Sequence, residues 1–185
     1  MKKYRSVRWL AFLLVVVTLT GLFTGAVAAK KKNNEEPVNE PIIVYASDFE
    51  IEEDGWYSTK EEVAVYLATY GFLPGNYLTK RDAEDLGWVS SWGNLGEVAP
   101  GCSIGGNRFG NYEGILPEID GVKYTECDID FDGTYRNAQR IVFSNEEPMR
   151  IYYTEDHYES FVEIVVEMEL ENPANLEEMM EDDAA

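Results

Sequence analysis

The chain has 185 residues, 45% of them hydrophobic and 13% aromatic, enough for one domain with a substantial core and too aromatic for wholesale disorder. Lys plus Arg number 15 against 35 Asp plus Glu, a formal net charge of −20. Taken alone, that balance argues against a polyanionic partner.

Lys2, Lys3, Arg5 and Arg8 make a basic start, and an uncharged, mostly apolar stretch follows from Trp9 to Ala29. It ends in Ala26-Val27-Ala28-Ala29, so residues 1–28 read as a secretory signal peptide cut after Ala28. The stretch is also just long enough for an uncleaved membrane anchor. The Ala-x-Ala site favours cleavage, which predicts a secreted, extracellular chain without stable membrane association. Loss of residues 1–28 leaves 11 basic against 35 acidic residues, a net of −24. In an oxidising compartment Cys102 and Cys127 are expected to form one disulfide, with two buried thiols as the alternative.

Residues 29–55 read as a polar and acidic linker that contains a short apolar island, Ile42-Ile43-Val44-Tyr45, either a strand or a segment packed on the domain. Residues 56–166 form the expected domain. Ser58 or Thr59 can cap a helix whose first turn holds Glu61 and Glu62. Val63, Tyr66, Leu67 and Tyr70 follow helical spacing, and Gly71 ends it. Pro74-Gly75-Asn76 is a turn. Thr79 with Asp82 three residues on signals a second, shorter helix that stops at Gly87.

After Trp88 the texture changes. Ser103–Gly105, Lys123–Ile129, Arg140–Ser144, Arg150–Tyr153 and Phe161–Val166 read as strands separated by Gly, Asn or Pro turns. Helices first and strands after predict an α+β domain, N-terminal helices packed on a C-terminal antiparallel sheet. From Glu163 to Ala185 there are nine acidic residues and no basic ones, and residues 167–185 read as a solvated acidic tail.

Five stretches carry a resemblance. They are Tyr77-Leu-Thr-Lys-Arg-Asp-Ala-Glu-Asp-Leu-Gly-Trp-Val-Ser-Ser-Trp-Gly-Asn-Leu95, Val98-Ala-Pro-Gly-Cys-Ser-Ile-Gly-Gly106, Phe109-Gly-Asn-Tyr-Glu-Gly-Ile-Leu-Pro117, Tyr135-Arg-Asn-Ala-Gln-Arg-Ile141 and Thr154-Glu-Asp-His-Tyr158. In order and nearly in spacing they resemble the barnase-like, guanyl-specific microbial ribonucleases. The resemblance implies a metal-free, cofactor-free endoribonuclease that cleaves single-stranded RNA 3′ of guanosine. The chemistry is transesterification to a 2′,3′-cyclic phosphate followed by hydrolysis. DNA, lacking the 2′-hydroxyl, is not cut. A barstar-like intracellular protein inhibitor is the implied companion, and the enzyme is expected to be a monomer.

The chain contains a single histidine, His157, and imidazole titrates closest to neutrality. A lone His is more often a surface or core residue, but Asp156-His157-Tyr158 matches the family's catalytic-acid motif. If Tyr124 to Ile129 is a strand, Glu126 and Asp128 share a face and Cys127 points away. The resemblance makes Glu126 the general base and Asp128 a partner of the active-site arginines, Arg136 and Arg140. Those arginines are two of eight Lys and Arg beyond residue 32, and planar guanidinium groups grip phosphate bidentately. Lys80 matches the family's catalytic lysine.

The implied base-recognition loop is Phe109-Gly110-Asn111-Tyr112-Glu113, with the Glu113 carboxylate accepting from guanine N–H donors and Tyr158 stacking on a base. Tyr112 departs from the type member, which has arginine there, and Gly110 replaces a hydroxyl-bearing residue. The resemblance places Cys102 and Cys127 on or beside neighbouring strands, where a bond would close a loop of about 25 residues worth on the order of 3 kcal/mol. Another reading is a catalytically inactive secreted or surface-held binding protein on the same scaffold. The complete set Glu126, Arg136, Arg140 and His157 argues against it, because a dead scaffold has no need of all four.

Overall fold

The computed structural model of the protein describes residues 40–168, so the expected signal peptide, the start of the linker and most of the acidic tail lie outside the described residues. In chain order the elements are β1 (Ile42–Tyr45), α1 (Lys60–Tyr70), β2 (Tyr77–Leu78), α2 (Lys80–Asp85), α3 (Leu95–Val98), β3 (Ser103–Phe109), β4 (Tyr124–Asp128), β5 (Arg140–Ser144), β6 (Ile151–Thr154) and β7 (Val162–Glu167). The strands form a seven-stranded sheet in the order β1-β7-β6-β5-β4-β3-β2. Among the described residues no helix is long and apolar enough to cross a membrane.

The expected α+β arrangement is present, with one correction to the sheet. Its five central strands, β3 to β7, are antiparallel, but both edges are parallel additions: β1 pairs with β7, and β2 with β3. The apolar island Ile42–Tyr45 is that first edge strand, with Val44 in the core. A sheet edge offers unpaired backbone groups, and β1 satisfies those of β7. The packed fold therefore already includes part of the segment read as linker.

α1 starts as its sequence requires. The Thr59 hydroxyl accepts from the Glu62 N–H, and the Glu62 carboxylate accepts from the Thr59 N–H, a reciprocal capping box. Gly71, at φ 80°, ends the helix in the left-handed conformation. The whole run Val63 to Leu67 is buried, more than one amphipathic stripe. The extra burial comes from the segment before the helix, where the carbonyls of Glu53 and Ile51 accept the hydroxyls of Tyr66 and Tyr70.

The strand period sorts the sheet into two faces. Cys127, Ile129, Ile141, Phe143 and Ile151 pack against Val63, Ala64 and Leu67 of α1 in the main core. Tyr124, Val142 and Tyr152 point the other way and pack with Leu116 and Phe161. Glu126, Asp128 and Arg140 belong by the same alternation to this second face, opposite α1. A third cluster of Ala83, Trp88, Leu95, Ala99 and Ile104 anchors α2 and α3 at the β2 end.

The disulfide expected between Cys102 and Cys127 is not formed, and both thiols are free. The reason is that they belong to different clusters. Cys127 is fully buried in the main core, whereas Cys102 precedes β3 and packs against the α2–α3 cluster. Burial pushes both thiols above the ordinary range, Cys127 further, so neither is primed for oxidation. A thiol reagent is expected to count two thiols in the unfolded, unreduced protein and to reach Cys102 before Cys127 in the folded one. Reductant should leave Tm unchanged; a lower Tm under reduction would restore the bond.

Candidate active site

The site is built outward from two carboxylates on β4. Asp128 is 1% exposed and lies opposite Arg140 on β5. Arg136 donates to it through two parallel bonds, Nε to Oδ2 and Nη2 to Oδ1, both 2.6 Å. Arg140 Nε lies 2.8 Å from Asp128 Oδ1, but its N–H is not aligned with that oxygen, so this contact is an ion pair more than a hydrogen bond. Arg140 is held from its other side. Its Nη1 donates to the carbonyls of Asn137, at 2.8 Å, and Gln139, at 2.6 Å. The hydrogen bonds to Asp128 hold the Arg136 guanidinium above its already high pKa.

Glu126, one strand period away, accepts Lys80 Nζ on Oε1 at 2.9 Å and the Tyr158 hydroxyl on Oε2 at 2.5 Å. Burial pushes its carboxyl up, but the bonds from Lys80 and Tyr158 and the charges of Lys80 and Arg136 outweigh it, and the net pKa lies below the ordinary value. Tyr158 responds in the opposite sense: burial and the bond to Glu126 push its hydroxyl well above the usual tyrosine range.

Lys80 reaches Glu126 because of a β-bulge. Gly105 pairs with Cys127 and Asn107 with Glu126, so β3 carries one extra residue, Gly106, at φ 82°. The bulge sets the Asn107 side chain to accept the Lys80 N–H at 3.1 Å, docking the start of α2 beside β4. Gly105 has no tolerance here, since a Cβ would stand 2.7 Å from that of Cys127 and 2.6 Å from the Tyr77 ring.

His157 sits on the turn after β6 and is exposed. Both His157, at φ 60°, and Tyr158, at φ 77°, adopt the left-handed backbone, which costs a non-glycine residue about 1–3 kcal/mol. Local bonds offset the strain. Thr154 Oγ1 accepts the Tyr158 N–H, and the Asp156 carboxylate accepts the Thr154 hydroxyl and the N–H and hydroxyl of Ser160. These bonds, those to Ser160 foremost, lower Asp156 to about 2. The outcome is an imidazole whose ring centroid is 4.7 Å from that of Tyr158, the residue bonded to Glu126.

The Tyr158 ring also meets Phe109, centroids 5.2 Å apart, which ties the end of β3 to the same cluster. Beyond Phe109 the loop turns at Asn111, φ 46°, whose side chain bonds both the N–H and the carbonyl of Leu116. Tyr112 is 94% exposed and Glu113 is exposed. The Tyr112 ring lies on Gly110, where a Cβ would be 2.3 Å from it. The structure thus brings Lys80, Glu126, Asp128, Arg136, Arg140 and Tyr158 into one contact network, with His157 against Tyr158. Tyr112 and Glu113 stand on the loop beyond Phe109, outside that network.

Three supporting residues escaped the sequence reading: Asn107, Asn137 and Thr154. Asn and Thr are common in loops and strands, and their roles depend on a bulge and on long-range pairing. The resemblance implies base stacking for Tyr158, whereas its bond to Glu126, 32 residues away in the chain, has no local signal in the sequence.

This is an α+β protein with paired carboxylates, a lysine, two arginines and a histidine gathered on and beside the open face of an antiparallel sheet. Residues 60–165 match a family model described as ribonuclease. The chain is similar to a ribonuclease of Bacillus intermedius, 39% identical over 164 residues that cover 89% of this chain and 99% of that protein. It is also similar to a ribonuclease of Heyndrickxia coagulans, 50% identical over 107 residues covering 58% of this chain and 96% of that protein, and to one of Bacillus pumilus, 38% identical over 164 residues covering 89% and 99%. The chain belongs to the barnase-like microbial ribonuclease family and is an endoribonuclease.

Removing Asp128 leaves two cations, one of them fully buried, without their anion. Asp128→Ala is expected to destabilise the protein by about 3–5 kcal/mol, read from denaturant unfolding at neutral pH. A loss under 1 kcal/mol would show that water replaces the carboxylate.

Proposed function

We propose that the protein is a secreted ribonuclease that cleaves single-stranded RNA 3′ of guanosine by acid–base transesterification, with Glu126 as base and His157 as acid. The observation that carries this reading is the Glu126 carboxylate, ionised and held by Lys80 and Tyr158 on the open sheet face one strand period from the Asp128–arginine cluster. In the first step Glu126 takes the proton of the ribose 2′-hydroxyl, and the 2′-oxygen attacks phosphorus. The bond to the 5′-oxygen breaks, and that oxygen leaves with a proton from His157. The product is a 2′,3′-cyclic phosphate. In the second step His157 takes a proton from water as the water oxygen attacks phosphorus, the bond from phosphorus to the 2′-oxygen breaks, and Glu126 returns its proton to that oxygen.

Negative charge grows on the phosphoryl oxygens between these transfers, and cations set nearby before the reaction stabilise it. Lys80, 42% exposed at its side chain, and Arg136, at 20%, are accessible for this work. With one N–H each of Nε and Nη2 of Arg136 given to Asp128, the second Nη2 hydrogen and both hydrogens of Nη1 are left for phosphate. Arg140, at 2%, is better placed as a brace that holds Asp128 and the strand. Glu113 is the candidate acceptor for guanine N–H donors, and Tyr112 is free to lie over the base. Secretion rests on the signal-like residues 1–28, and a barstar-like inhibitor would protect the producing cell.

With RNA in EDTA, the protein is expected to yield 2′,3′-cyclic phosphate ends after guanosine, and Glu126→Ala and His157→Ala each to lower kcat about 10²–10⁴-fold. Chelator-sensitive cleavage, or full activity in either variant, sinks the mechanism. The pH profile gives a separate check. A base must be ionised, so the acid limb of kcat/KM belongs below the ordinary glutamate value, where Glu126 titrates. Lys80→Ala removes the bond and charge that lower Glu126 but keeps its burial, so the acid limb should move to higher pH; an unmoved limb contradicts the assignment.

A further inference from the structure

Tyr135 stands directly before Arg136, and its side chain is in solvent, 65% exposed. Its ring rests on Gly93, where a Cβ would come within 3.0 Å of the ring carbons. Gly93 sits at φ 62°, so both its space and its backbone suit glycine. The next residue back, Trp92, is 69% exposed. Two exposed aromatic residues thus stand on adjoining backbone, Tyr135 against Gly93 and Trp92 one residue before that glycine, beside Arg136 in the chain.

Their supports are held by hydrogen bonds. The Gly96 N–H donates to the Gly133 carbonyl at 3.0 Å, which pins the loop carrying Tyr135 to the turn carrying Trp92. Asn94 accepts the Val89 N–H at 2.8 Å and donates to the Gly87 carbonyl at 3.1 Å, closing the turn, and Leu95 is fully buried below it. An exposed ring on a fixed backbone loses little entropy when a flat ligand stacks on it.

The charge of the domain says what that ligand needs. Residues 56–162 hold 8 basic and 18 acidic side chains. Two of the three site cations are paired with Asp128 and the third with Glu126. Long-range attraction for a polyanion is therefore weak, and contacts that do not depend on phosphate charge gain weight. Stacking on aromatic rings is such a contact, and every base has a π face.

We propose that Trp92 and Tyr135 form a stacking subsite for an unpaired nucleobase of the RNA, outside the dinucleotide that is cleaved. The inference rests on the ribonuclease reading above. The subsite holds longer RNA by base stacking and leaves the chemical step to Glu126 and His157.

The test compares kcat/KM for a guanylyl dinucleotide and a single-stranded hexanucleotide, in EDTA. Tyr135→Ala and Trp92→Ala are expected to cut the hexanucleotide value about tenfold or more and change the dinucleotide value less than twofold. Tyr135→Phe and Trp92→Phe should keep the wild-type ratio, since a ring suffices. For the wild type, an abasic residue at one hexanucleotide position outside the cleaved pair should reproduce the loss, and the alanine variants should no longer sense it. Equal losses on both substrates, or indifference to abasic positions, overturn the subsite. Unchanged kinetics in both alanine variants also overturn it and leave the aromatic face to a protein partner. A wild type that cleaves neither substrate would instead refute the ribonuclease reading.

Discussion

Asp128 keeps a negative charge inside the sheet because two guanidinium groups meet it there. An isolated buried carboxylate would cost several kcal/mol, and the same holds for Arg140 without an anion. The three residues come from a strand, the following strand and the loop between them, so their charges close only when β4 and β5 are in register. A one-residue slip would turn Asp128 into the α1 core and leave Arg140 unpaired. Register, burial and site geometry are therefore one constraint, and the rest of the site is placed relative to it.

From that point the geometry propagates by strand period and bulge. Glu126 lies two residues before Asp128 and so shares its face, while Cys127 between them faces the apolar core. The extra residue at Gly106 brings Asn107 opposite Glu126, and Asn107 fixes the start of the helix that carries Lys80. A backbone irregularity in one strand thus sets the charge environment of a carboxylate in the next. The pull of Lys80 and Tyr158 is what keeps Glu126 ionised despite its burial.

The acidity of the chain and the chemistry proposed for the site are compatible because the cations are paired locally. Lys80, Arg136 and Arg140 face two carboxylates, leaving a small local positive excess in a negative molecule. Such a site acts at contact range, within less than the Debye length of about 8 Å at physiological salt. Rings then become useful at its margins: Tyr112 lying on Gly110, Phe109 against Tyr158, and Tyr135 on Gly93. In two of these pairs a glycine makes room for a ring that solvent also reaches.

By itself the sequence determined the first helix with its cap and acidic first turn, the five central strands, their alternation and the identity of the charged residues, because these follow from short-range periodicity and local side-chain chemistry. Motif resemblance added the family. What only the tertiary structure decided are relations between distant residues: the parallel edge strands β1 and β2, the separate clusters that keep Cys102 and Cys127 apart, and the bond from Tyr158 to Glu126. None has a local signal, since each depends on which surfaces meet when apolar burial and charge pairing are satisfied together. Ile42–Tyr45 shows the limit well. Its apolar run is plain in the sequence, but it becomes a strand only because β7 presents an open edge for it to join.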